Sequence, residues 1–286
     1  MADIILKNDR LKVVISEPGT LYKRQRFDWC GVVTSVELDR KHSYLSREPM
    51  FYNQITGGHG LSSNFEAANG FEYGNTPIGD YFPRIGVGRI IRHDRSPLSM
   101  YHDYTIDPAP MRYEAEEDKV VFYQEPIECN GYAYGIKKTL RLIENQLETE
   151  YQLTNVGEKF VMLEESNHNY TMIDNMPINA DYELSVPYNI KLKMGRGKVT
   201  LGYHTLSVAE FDDFFIFDIE GYDGCLPHTW TVTHKPTGLG YSETVKTPLS
   251  KFFVWGCHNN FCPIVYVKIA CVPGQTTTWT RTLKFF

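Results

Sequence analysis

Helical periodicity is nearly absent from this sequence. Almost no stretch repeats its apolar residues at 3.6-residue spacing, which excludes helix bundles and alternating strand–helix folds. Also missing is any apolar run long enough for a membrane-spanning helix. The start, Met1-Ala2-Asp3-Ile4-Ile5-Leu6-Lys7-Asn8-Asp9, carries an acidic residue early and lacks the apolar stretch of a secretion signal. A cytoplasmic protein with no membrane partner is therefore expected. Positive charge is short as well, with a formal net charge of -6. The nearest approach to a basic stripe is Arg84, Arg89, Arg92 and Arg95, and His93 and Asp94 interrupt it. Nucleic acid is excluded as a partner, because displacing counterions from phosphates needs a contiguous basic surface. Cysteine is sparse and scattered (Cys30, Cys129, Cys225, Cys257, Cys262 and Cys271), which reads as reduced and mostly buried thiols. Cys257-His258 with Cys262 has neither metal-ligand spacing nor a fourth ligand, so neither metal nor cofactor is expected.

What the sequence does hold is aromatic residues and short strands. Aromatics reach 14%, with 19 Tyr and 16 Phe. Such an excess suits strands, and it suits a carbohydrate groove, where rings stack on the apolar faces of sugars. Period-2 runs are read at Ile4–Leu6, Leu11–Ser16, Trp29–Leu38, Val120–Gln124, Gly135–Ile143, Gln146–Asn155 and Phe160–Ser166. Others follow at Tyr182–Val186, Ile190–Leu192, Phe214–Ile219, Thr229–Thr233, Gly240–Thr244, Lys251–Trp255, Val265–Val272 and Thr276–Phe285. Asn8-Asp9, Asn145, Asn155-Val156-Gly157-Glu158 and Pro273-Gly274 supply turns, the last one predicting a terminal hairpin. From His42 to Ser99 the pattern dissolves into a stretch dense in Gly and Pro, expected to mix short strands with a functional loop forming a groove wall. The expected fold is all-β, a sandwich or barrel of large, mostly antiparallel sheets with very little helix, over residues 1–286 as one domain.

One segment concentrates polar chemistry: Glu164-Glu165-Ser166-Asn167-His168-Asn169-Tyr170, placed at the end of a strand. Alternation puts Glu164, Ser166, His168 and Tyr170 on one face and Glu165, Asn167 and Asn169 on the other. Histidine is the side chain best suited to hand over a proton near neutral pH. Read from the residues alone, the segment is equally a strand end whose polar groups satisfy a turn.

Four stretches together resemble the galactose mutarotase-like superfamily, which includes the aldose 1-epimerases. Asn167-His168-Asn169-Tyr170 is similar to the family's Asn-His-Ser-Tyr segment, and Pro273-Gly274-Gln275 with the strand after it to its Pro-Gly-Glu ending. Arg26-Phe27-Asp28-Trp29-Cys30-Gly31 and Gly79-Asp80-Tyr81-Phe82-Pro83-Arg84-Ile85-Gly86-Val87-Gly88 resemble two segments of a bacterial branch. The resemblance implies a β-sandwich with an open groove for a small carbohydrate and an isomerase that interconverts sugar anomers by general acid–base catalysis. It implies His168 as the acid and Arg84 as the sugar-orienting arginine. His59 and His102 are candidates for a second histidine near the ring oxygen. Asn167 belongs to the matched segment and is expected to contact substrate. Trp29, Tyr81 and Trp255 are expected as groove walls.

There is one departure. The family base is a Glu near the start of a late strand, and the matching segment here is Cys262-Pro263-Ile264-Val265-Tyr266-Val267. Ile264 stands where the carboxylate belongs. Glu164, Glu165 and Asp223 are the candidate replacements, with Glu164 on the His168 face but about 13 Å away at ~3.3 Å per residue. A carbohydrate-binding or sensor protein without catalysis, or a relative acting on a non-sugar carbonyl compound, are the alternatives that Ile264 leaves open.

Overall fold

Alternation of inward and outward side chains builds the architecture. Along Gln146–Asn155, every second residue (Leu147, Thr149, Tyr151, Leu153, Asn155) is buried. The neighbouring Tyr134–Ile143 does the same with Tyr134, Ile136, Lys138, Leu140 and Leu142. The computed structural model describes residues 3–49, 57–67, 70–222 and 227–286. Among these residues the strands form two ten-stranded sheets and one three-stranded sheet, and neighbouring strands pair antiparallel.

The first sheet runs in the order Asp3–Lys7, Leu11–Ser16, Val33–Leu38, Leu61–Ala67, Val161–Asn169, Asn260–Cys271, Leu249–Cys257, Phe215–Glu220, Lys191–Arg196, with His42–Ser43 paired to the third. The second runs Lys198–Leu201, Thr205–Glu210, Tyr182–Ser185, His228–His234, Leu239–Val245, Thr276–Phe285, Gln146–Asn155, Tyr134–Ile143, Lys119–Gln124, Met111–Ala115. One hydrophobic cluster draws on the inner faces of both, joining residues such as Val265, Val267 and Ile269 to Leu147, Leu153 and Leu283. The small sheet, Tyr81–Arg84, Gly88–Ile91 and Ile106–Pro108, has its own hydrophobic cluster of Tyr73, Phe82, Ile90 and Tyr104. Among the described residues helix is limited to two short 3-10 turns, and no helix is long and apolar enough to cross a membrane. The expected all-β antiparallel sandwich is what the chain forms.

Several local expectations change. Pro273-Gly274 is a turn, with Gly274 at φ 79 where a side chain would be strained, but it does not close a hairpin. Asn260–Cys271 lies in the first sheet and Thr276–Phe285 in the second, so this turn carries the chain between sheets. Asn155 sits where the chain makes another crossing between the sheets, before Val161, and ties the two crossings together. Its N–H donates to the Gln275 carbonyl, its carbonyl accepts from Gly274 N–H, and its amide Nδ2 donates to the Cys271 carbonyl at 2.9 Å. The run expected at Trp29–Leu38 is a strand only over Val33–Leu38. Leu61–Ala67, inside the stretch that looked irregular, is a central strand beside Val161–Asn169. The polar segment expected at a strand end is instead held within that strand as far as Asn169.

Candidate functional site

The outer face of the first sheet carries the site. His168 pairs in register with Ile264 on one side and Ser62 on the other. Ile264 pairs in turn with Phe253, and Cys262 with Trp255, which pairs with Ile216. Directly paired residues in antiparallel strands point to the same face, so His168, Ile264, Phe253, Trp255 and Ile216 form one floor. Above it lies a cleft of about 530 Å³. Tyr266, Tyr170 and Phe214 add aromatic surface, Arg26, Glu48, Arg196 and Asp213 bring charge, and Met100 and Tyr101 stand at the rim. Trp255 and Tyr170 meet edge to face with ring centres 6.4 Å apart. An apolar aromatic floor with a few convergent charged groups is the usual make-up of a small-molecule site.

His168 sits at the base of this cleft, 2% exposed. Its ring lies edge-on to Phe27 at 5.2 Å and stacks near Tyr170 at 5.9 Å. The Arg26 guanidinium, spread over the Phe27 ring at 4.6 Å, donates from Nη2 to His168 Nε2 at 3.1 Å. A guanidinium has no acceptor, so Nε2 is unprotonated here and the imidazole proton is on Nδ1, which has no hydrogen-bond partner among the described residues. Burial, then the charges of Arg26 and Arg281, hold the imidazole well below the ordinary histidine range. In this arrangement His168 is neutral and its Nε2 accepts. The general-acid role inferred from resemblance requires the opposite protonation state. What the geometry offers is a base, once a ligand hydroxyl takes the place of Arg26.

Arg26 reaches the other way as well. Its Nη1 lies 3.8 Å from Glu48 Oε1, and Glu48 Oε2 accepts from Gly58 N–H at 3.0 Å. Glu48 thus brings a carboxylate into the cleft that contains His168. At the far end Arg196 lies over the Phe214 ring at 4.1 Å, beside Asp213. Neither Glu48 nor Asp213 stands in a motif, and sequence reasoning missed both.

The other expected site residues fall elsewhere. Glu164 shares the His168 face but is bound to Lys251 Nζ at 2.5 Å and does not line the cleft. Burial raises its pKa, but the Lys251 bond and charge more than offset this and hold the carboxyl below its usual range, so it is an ion-pair partner and not the partner of His168. Glu165 points inward to Arg281, and Asp223 lies outside the described residues. Asn167 also points inward, its Nδ2 donating to Asn169 Oδ1 at 2.7 Å on the face opposite His168. Arg84 spends its guanidinium on the carbonyls of Gln25 and Arg26 and on Asn64 Oδ1, at 2.7–3.0 Å, so it positions the chain segment that presents Arg26. It lines a neighbouring cavity instead. Trp29 donates its indole N–H to the Arg24 carbonyl and packs under Gly19, away from the cleft. Tyr81 lies against Arg89, also away from it, whereas Trp255 does line the cleft. The His102 ring is exposed and faces Tyr104, while its neighbours Met100 and Tyr101 form the rim. His59 is half-buried, its pKa lowered by burial and by Arg47, and it does not line the cleft.

Beneath the floor lies a layer of buried charge. Arg281 donates from Nε to Glu165 Oε2 at 2.9 Å, from Nη1 to Glu243 Oε1 at 2.9 Å and from Nη2 to the Val265 carbonyl at 2.8 Å. Trp279 Nε1 donates to Glu165, and Asn169 Nδ2 to Glu243. Burial pushes both carboxyls up against the pull of Arg281. Burial alone would lower the Arg281 pKa, but the two carboxylates outweigh it and raise it. Through Val265 this arginine pins the two strands that present His168 and Ile264.

The neutral, buried imidazole has a consequence for stability. The unfolded chain binds a proton near pH 6.5 at this residue and the native chain does not until well below it. Stability from this group is fully present above about pH 6.5 and is lost as pH falls, by up to about 1.4 kcal/mol per pH unit. His168→Gln keeps an acceptor for Arg26 and cannot titrate. Urea denaturation at pH 7.5 and 5.5 should show the wild type losing more stability than this variant, and equal losses would refute a neutral His168.

The comparisons agree with this architecture. No protein-family model and no curated protein sequence matches the chain. Solved structures do. A galactose mutarotase related enzyme from Lactobacillus acidophilus is 12% identical with a TM-score of 0.57, over 100% of this chain and 97% of its own. A galactose mutarotase-like protein from Lactobacillus casei is 13% identical with a TM-score of 0.58, over 100% of both chains. An aldose epimerase homologue from C. elegans is 12% identical with a TM-score of 0.54, over 100% of this chain and 98% of its own. The fold is therefore that of the galactose mutarotase-like proteins, across the whole length of the chain.

Proposed function

We propose that the protein binds an aldose in the cleft over His168 and acts on it as an isomerase of the aldose 1-epimerase type, with altered roles and modest rate. The observation that carries this reading is the His168–Arg26 bond at the base of an aromatic cleft. A sugar ring lying against Trp255 would present hydroxyls to Arg26, Glu48, Asp213 and Arg196. A hydroxyl that replaces Arg26 at His168 Nε2 can give its proton to the imidazole, which is the first step of ring opening at an anomeric centre. Arg26, released from the imidazole and still charged, would stabilise negative charge developing on the ring oxygen. Ile264, in register with His168, supplies no second proton carrier. Losing one positioned general acid or base typically lowers a rate by about 10²–10⁴-fold, so turnover should be slow.

A second reading, carbohydrate binding without turnover, is favoured by Ile264 itself. Proton exchange spectroscopy on glucose and galactose at anomeric equilibrium separates the two. The proposal expects protein-dependent exchange between anomers, abolished in His168→Gln. Saturation transfer to the sugar without added exchange would support the binding reading. Neither signal from any aldose would remove the carbohydrate assignment.

A further inference from the structure

A second cavity of about 230 Å³ adjoins the cleft, and Arg26 and Met100 line both. Its apolar walls include Phe71, Phe82, Ile90 and Leu98, and its polar edge is made by Gln25, Glu66 and Arg84. Gln25 is 3% exposed and its Nε2 donates to the carbonyls of Met100 and His102, which holds the Met100 loop in place. Among the described residues its Oε1 has no partner, and neither has Nε of the next residue, Arg26. A buried acceptor and a buried donor left unpaired, on two residues that line one cavity, are costly to the fold. A hydroxyl suits either, because it can both donate and accept.

We propose that this cavity is a subsite for a second sugar ring, so that the ligand is a reducing disaccharide or similarly glycosylated aldose. Its reducing ring lies over His168 and its second ring crosses Arg26 into the Arg84 cavity. The inference rests on the carbohydrate reading of the main cleft and extends it. A neutral hydroxylated group fits better than a phosphate. A phosphate dianion has no donor for Gln25 Oε1 and would face the Glu66 carboxylate, while three Arg84 hydrogen bonds already go to protein oxygens. The apolar walls suit the flat faces of a sugar ring.

Calorimetric titration tests this with glucose and galactose against maltose, cellobiose and lactose, in the wild type and two filled-cavity variants. Leu98→Trp changes a partly exposed loop residue and Ala67→Leu a half-buried strand residue, and both line only the second cavity. At least one disaccharide should bind about tenfold more tightly than its constituent monosaccharide, which is 1.4 kcal/mol. Both variants should erase that advantage and leave monosaccharide affinity unchanged. Monosaccharides binding as well as every disaccharide, or an advantage that survives both substitutions, would overturn the subsite and leave the main cleft standing. Binding of neither class would overturn both.

Discussion

Replacing Arg281 with methionine should cost the fold about 3–5 kcal/mol, the range for breaking a buried ion pair by removing one partner. Glu165 and Glu243 are both fully buried and share this one guanidinium. Without it, two carboxyls face each other in the core with Asn169 and Trp279 as their remaining donors among the described residues. The Val265 carbonyl loses its bond from Arg281 at the same time. Much of the loss comes from stranded charge and little from packing, since methionine fills similar space. Adding Glu165→Gln and Glu243→Gln to Arg281→Met should therefore recover part of it, which a simple packing defect would not. Urea denaturation reads both. A loss below about 1 kcal/mol for the single variant would mean that the carboxyls are already protonated and the layer is not ionic.

Arg26→Ala should weaken aldose binding by about 10–150-fold, the equivalent of one charged hydrogen bond of about 1.5–3 kcal/mol. Arg26 lines both cavities, touches His168 and Glu48, and is held in place by Phe27 and by the Arg84 bond to its own carbonyl. Arg26→Lys should restore little. A lysine keeps the charge but loses the fork that reaches the imidazole and the carboxylate at once. Calorimetry with the tightest-binding aldose is the check, and affinity within twofold of wild type would place the ligand elsewhere.

The fold was legible where one face of a strand is wet. Gln146–Asn155 and Thr276–Phe285 alternate along their whole length, and both appear with the bounds read from sequence. Leu61–Ala67 did not show itself because its first five residues are all buried, on both faces, and three of them are Ser or Asn. Period-2 reasoning needs a solvated face to work from. Pro273-Gly274 reported a chain reversal correctly, but a turn does not state which sheet receives the next strand. In the site, the polar density of the His168 segment and the mismatch at Ile264 were both visible, and the register places those two side chains together. Trp255 was visible as an aromatic on an alternating strand. Arg26 stood in a matched segment without a role. Glu48 could not be found locally: it reaches the cleft because Leu45 bridges Thr171 and Glu48 N–H bonds the Gly58 carbonyl, contacts that no short spacing encodes. Arg84 could not be placed from sequence, because a buried arginine holding backbone carbonyls and one holding sugar hydroxyls look alike there.

The most direct test of the central claim, that the cleft over His168 is a carbohydrate site, is a crystal structure of the protein soaked with the aldose that binds best in solution. The account predicts the sugar ring against Trp255, hydroxyls in hydrogen-bond reach of Arg26 and Glu48, and the anomeric hydroxyl about 3 Å from His168 Nε2 in place of Arg26. A saturated crystal with the sugar bound elsewhere, and the His168–Arg26 bond intact over an empty cleft, would contradict it.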